Sequence, residues 1–147
     1  MSTTDALRER FGAAFGASHD AVTTGVVVAF ALVLSVFAAW VLADLLPRVL
    51  TFVLGVLGFG GVLYGRASRR AVTATGLYAL AALVAAIPVV YELVLALSTA
   101  APLVHLLSVT DLLFVGLFWV VALVPAAVGY RVASGPFLPR FRRAVGR

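Results

Sequence analysis

The sequence predicts an all-α integral membrane protein, a four-transmembrane-helix bundle with both termini in the cytoplasm. Three observations lead there. The 147 residues are 63% hydrophobic and only 12% charged, with a mean hydropathy of +1.13. Four uncharged apolar runs, at 21–43, 49–65, 71–91 and 112–130, contain 23, 17, 21 and 19 residues. Eleven Arg and six acidic residues are confined mostly to short clusters between and beyond those runs. A soluble domain of this size leaves about a third of its unfolded surface in water, and runs like these would aggregate there. A helix needs about 20 residues at 1.5 Å each to cross a ~30 Å hydrocarbon layer. The runs lack the alternation of strands, and a membrane sheet must close into a many-stranded barrel.

The first 20 residues read as a cytoplasmic tail. Leu7, Phe11, Ala14 and Phe15 recur at helical spacing around Arg8, Glu9 and Arg10. An amphipathic helix on the inner leaflet and a frayed tail are both compatible with that pattern. The first span is expected at 21–43, capped by Asp20 or Ser18. It is too long for a cleavable signal peptide and lacks a basic flank directly before it. The second span, 45–65, reaches crossing length if Leu45 and Leu46 join it and Arg48 snorkels to the headgroups. Pro47 suits its first turn, and Gly65 suits a left-handed end. Ser68 is placed to cap a third span at 71–91, whose extension to 97 is left open. Ser108 and Asp111 have capping-box spacing ahead of a fourth span at 109–130. Residues 131–147 form a basic cytoplasmic tail. Pro88 and Pro125 each remove a backbone bond and should kink the third and fourth helices.

Orientation follows from Arg. With four spans, both tails and the second loop share a side that carries Arg8, Arg10, Arg66, Arg69, Arg70, Arg131, Arg140, Arg142, Arg143 and Arg147. The other side has Arg48 alone. The positive-inside rule makes the first side cytoplasmic, and the membrane expected is the cell membrane. A fifth span over 93–110 would reverse the tail and leave no room to turn at Glu92. Tyr64 and Tyr130 fall at the inner ends of their helices, and Trp40 and Tyr91 near the outer ends, as an interfacial belt would place them. Trp119 and Tyr78 sit deeper, with packing inside the bundle expected. The basic composition is a topology signal, with no nucleic-acid partner implied. The absence of Lys reads as the codon bias of a GC-rich, prokaryotic genome.

Three sets of residues stand out as sites. On a helical wheel Thr51, Gly55, Gly58, Gly61 and Gly65 share about a third of the second helix. Small residues let backbones approach in lipid, so this face should pack against a helix of the same chain or of another. Asp44, Glu92 and Asp111 have similar expected heights, which suggests either an acidic outer rim or ordinary acids at helix ends, with Asp111 as a cap. Arg66, Arg69, Arg70, Arg140, Arg142 and Arg143 form the cytoplasmic, lipid-facing basic set. The Gly135–Arg147 stretch, mixing Arg with Phe137 and Phe141, is a topology anchor or a binder of anionic headgroups.

Chemistry is conspicuous by exclusion. There is no Cys, so thiol redox and thiolate metal sites are ruled out. His19 and His105 fall on opposite sides of the membrane and cannot share a metal or haem. No serine-elbow motif appears, and Gly58-Phe59-Gly60-Gly61 lacks the strand and the Lys-Ser/Thr pair of a phosphate loop. Inside the levels of the terminal charges the polar inventory of the spans is Thr23, Thr24, Ser35, Thr51, Thr73 and Thr75, each able to bond back to its own helix. A carboxylate inside the first span, or paired Cys, would point to a small four-span transporter or quinone reductase. Neither is present. The expectation is a non-enzymatic accessory or scaffold component without cofactor, partnered by the bilayer and by itself or a larger membrane protein. A small oligomeric channel or transporter entered through the acidic rim is the alternative.

Overall fold

The computed structural model describes residues 20–98 and 108–135, and they form four helices: α1 (Ala21–Val41), α2 (Arg48–Tyr64), α3 (Arg69–Ser98) and α4 (Val109–Ser134). Three of them, α1, α3 and α4, are long and apolar enough to cross a membrane; α2 is a shorter apolar helix. The amphipathic reading of the first residues and the basic stretch beyond Gly135 lie outside the described residues.

Local chemistry sets the helix ends. Asp20 caps α1, its carboxylate accepting from the Thr23 amide at 2.9 Å. The chain then turns through residues 42–46, with the amides of Leu45 and Leu46 donating to the Leu42 carbonyl. The second helix therefore does not begin at residue 45. Pro47 stands at its N-cap and Arg48 opens it, because a residue preceding proline is disfavoured in the helical region. Ser68 caps α3, its hydroxyl accepting from the Ala71 amide at 3.2 Å. Gly65 does not adopt the expected left-handed conformation. Its φ of −69° is right-handed, and its amide closes the last turn of α2 on Gly61.

Ser108 caps α4, accepting from the Asp111 amide at 3.1 Å while donating its hydroxyl to the Asp111 carboxylate. Both later helices extend past their apolar runs, α3 by the extension that the sequence left open. α3 continues to Ser98, and α4 passes residue 130 to end at Gly135, the one positive φ (80°) among the described residues. Arg131 lies in that last turn, where its charge suits the negative end of the helix dipole.

The helices are arrayed in the order α2–α1–α3–α4. α1 packs against both α2 and α3, and α3 against α4, whereas α2 scarcely meets α3 and α4 rests essentially on α3 alone. The core of Val27, Leu34, Leu63 and Val72 sits where the first three helices converge, flanked by Phe30, Phe59, Leu80 and Leu83. On α4 only Ala122 and Gly129 are buried. The Trp119 ring, expected inside the bundle, is 55% exposed. Its indole N–H still reaches the Ala85 carbonyl of α3 at 3.3 Å, one helical turn before Pro88.

Each seam has a small residue at its closest approach. A Cβ on Gly55 would come within 2.9–3.1 Å of Ser35 on α1. One on Gly76 would run into the Phe30 ring, and one on Gly129 would stand 3.2 Å from Leu77 and 3.3 Å from the Ala74 carbonyl. With no hydrophobic drive between helices in lipid, such close approach is how they gain dispersion contacts. Ser35 is fully buried and returns its hydroxyl to the Ala31 carbonyl. Thr51 and Thr73 bond back in the same way to Pro47 and Arg69, so these helices satisfy their hydroxyls on their own backbone.

Candidate functional site

The glycine face of α2 divides in two. Thr51 is buried and Gly55 presses on Ser35. Gly58 and Gly61 are exposed, and a Cβ on either would meet nothing within 4 Å. Gly65, also exposed, would meet only carbonyls of its own helix. The physical reason lies in the seam with α1. It recurs every four residues, through Gly55, Phe59 and Leu63, and so leaves Leu54, Gly58, Gly61 and Gly65 on the far side. Gly60, on the near side, faces Ala31 at 3.9 Å. Sequence reasoning found Gly55 but missed Gly76 and Gly129, whose only signal was a lone glycine inside an apolar run.

Asp44, Glu92 and Asp111 belong to one end of the array by topology, but they do not form a set. Asp111 is held by Ser108 as a cap. Asp44 is exposed and lines a cavity together with Arg48. Glu92 is neither at a helix end nor at a surface. α3 runs six residues beyond it. Its side chain is 8% exposed, and neither carboxylate oxygen has a hydrogen-bond partner. The surrounding stretch of α3 is packed on α4, with Tyr91 against Phe114 at 5.5 Å between ring centroids. A polar residue buried without a partner in such surroundings costs about 1–3 kcal/mol. The reading of Glu92 as an ordinary interfacial acid is therefore corrected, because α3 does not stop where its apolar run does.

At the opposite end, Arg66, Arg69 and Arg70 are exposed around the α2–α3 turn, with Arg131 at the end of α4. Arg70 reaches the end of α4: its guanidinium would stand 3.3 Å from a Cβ on Gly135. Arg140, Arg142, Arg143, His19 and His105 lie outside the described residues. Among those described, no three His, Asp or Glu side chains gather as a metal site.

Comparison with protein families, with curated proteins and with solved structures finds no match to this chain.

Proposed function

We propose that the protein is a non-enzymatic, multi-pass component of the cell membrane that assembles laterally, with a second copy or a larger membrane protein, through α2. The observation that carries this reading is the pair Gly58 and Gly61. They stand exposed on a helix whose opposite face is already seated on α1. Glycine costs about 1 kcal/mol relative to Ala inside a helix and contributes no contact to a lipid-facing surface. Its benefit in lipid comes when another backbone approaches. In this reading α2 is a fourth crossing and both termini are cytoplasmic. The cluster of Arg66, Arg69, Arg70 and Arg131 at one end, against Arg48 at the other, supports that orientation.

The test is purification of the full-length chain in mild detergent from its native membrane, with particle mass and co-purifying proteins determined. Gly58→Leu combined with Gly61→Leu is expected to strip the partner or reduce the oligomer to monomer, while the melting temperature of the monomer stays within about 2 °C. An unchanged assembly in that double variant would remove the α2 interface.

A second reading, ion passage at the acidic end, draws on Glu92 alone, since unpaired carboxylates within membrane helices commonly serve ion pathways. It requires cation flux in proteoliposomes that falls at least about tenfold in Glu92→Gln. No flux above empty vesicles would reject it.

A further inference from the structure

A cavity of about 290 Å³ opens at the end of α1, walled by Trp40 and Asp44, by Arg48 of α2, and by Ile87, Val90 and Tyr91 of α3. That is the low end of the range for small-ligand sites. Its two charges are unspent. Neither the Asp44 carboxylate nor the Arg48 guanidinium forms an ion pair or side-chain hydrogen bond among the described residues. Arg48 is the first residue of α2, whose N-terminus has no side-chain cap and no acidic residue in its first turn. Arg48 brings a guanidinium to the cavity lining at the positive end of the α2 dipole, a combination suited to phosphate. The same lining holds the Asp44 carboxylate and the rings of Trp40 and Tyr91, a combination suited to an ammonium group.

The cavity continues into apolar ground. Trp40 and Arg48 also border a groove of about 370 Å³ between α1 and α2, floored by Val36, Ala39, Val49 and Phe52. Trp40 and Val36 border a further groove of about 530 Å³ along α1, reaching Leu32 and Val33. A free zwitterion would use the charged end and leave these grooves empty. A molecule with a charged head and hydrocarbon chains would use all three. We propose that this is a binding site for a zwitterionic phospholipid, its phosphate on Arg48 and the α2 N-terminus, its ammonium on Asp44 between the two rings, and its acyl chains along α1.

The experiment uses the full-length protein, delipidated in detergent and given an equimolar mixture of phosphatidylethanolamine and phosphatidylglycerol, with retained lipid read by native mass spectrometry. Phosphatidylethanolamine is expected to be retained about tenfold over phosphatidylglycerol. Asp44→Asn should bring the ratio to about one by removing the ammonium partner, Asp44→Glu should preserve it, and Arg48→Gln should lower retention of both lipids. Both side chains are exposed, so these variants leave the packing intact. Equal retention by the parent chain, or a ratio unmoved by Asp44→Asn, overturns the site. Complete displacement of the lipid by millimolar glycerophosphoethanolamine would assign the cavity to a soluble zwitterion and overturn the lipid.

Discussion

Gly76→Leu is expected to be the most damaging single substitution in the chain, destabilising it by about 3 kcal/mol or more. Even a Cβ there would overlap three atoms of the Phe30 ring. That ring packs against the buried cluster on which α1, α2 and α3 converge. Either the ring leaves the core or the α1–α3 seam opens. Because α4 is held almost wholly through α3, opening that seam divides the molecule into an α1–α2 pair and an α3–α4 pair. Gly55→Leu should act similarly on the α1–α2 seam, since the obstruction includes the Ser35 backbone, which cannot rotate away. Gly58→Leu, three residues along the same helix, should change monomer stability by about 0.5 kcal/mol or less. Thermal unfolding of the three variants in one detergent, followed by far-ultraviolet circular dichroism, provides the comparison. Equal losses for Gly55→Leu and Gly58→Leu would mean that the described seam is not the one that holds α2.

The second large effect has the opposite sign. Glu92→Leu is expected to stabilise the chain by about 1–3 kcal/mol, because it replaces a buried carboxylate lacking any hydrogen bond with a side chain that has no polar atom to satisfy. Glu92→Gln should help less, since the amide inherits the same unpaired position. Reversible unfolding of the monomer measures both. A loss of stability in Glu92→Leu would show that the carboxylate is satisfied in the membrane by water or another group. A gain would mean that a destabilising residue occupies a position where leucine is better tolerated, which is the usual mark of a group kept for what it does.

Apolar run length and terminal chemistry made much of this architecture legible in advance. Asp20, Ser68 and Ser108 announced three helix starts because a cap is a local event, decided within one turn of chain. The extents were harder. Pro47 delayed α2 through its effect on the residue before it, and α3 passed Glu92 because a single carboxylate does not stop a helix. What a helical wheel cannot supply is the direction of the neighbour. Gly55, Gly58 and Gly61 look equivalent on α2 until α1 is placed, and then one lies at a seam and two do not. Gly76 and Gly129 carried no motif, yet they hold two of the three seams. Likewise, the similar heights of Asp44, Glu92 and Asp111 said nothing of their surroundings, which proved to be a cavity, a buried helix face and a cap.

The unequal lengths of the helices have a consequence for the bilayer itself. At 1.5 Å per residue, the 17 residues of α2 span about 26 Å, several ångströms short of an ordinary hydrocarbon layer, whereas the 30 residues of α3 exceed it. As a crossing, α2 would pull the two leaflets together along one flank, while the far flank asks for tilt or thickening. The deformation is therefore one-sided. Two molecules meeting through their α2 flanks share one thinned strip of membrane where apart they would sustain two, so elasticity of the lipid favours the same encounter that Gly58 and Gly61 permit.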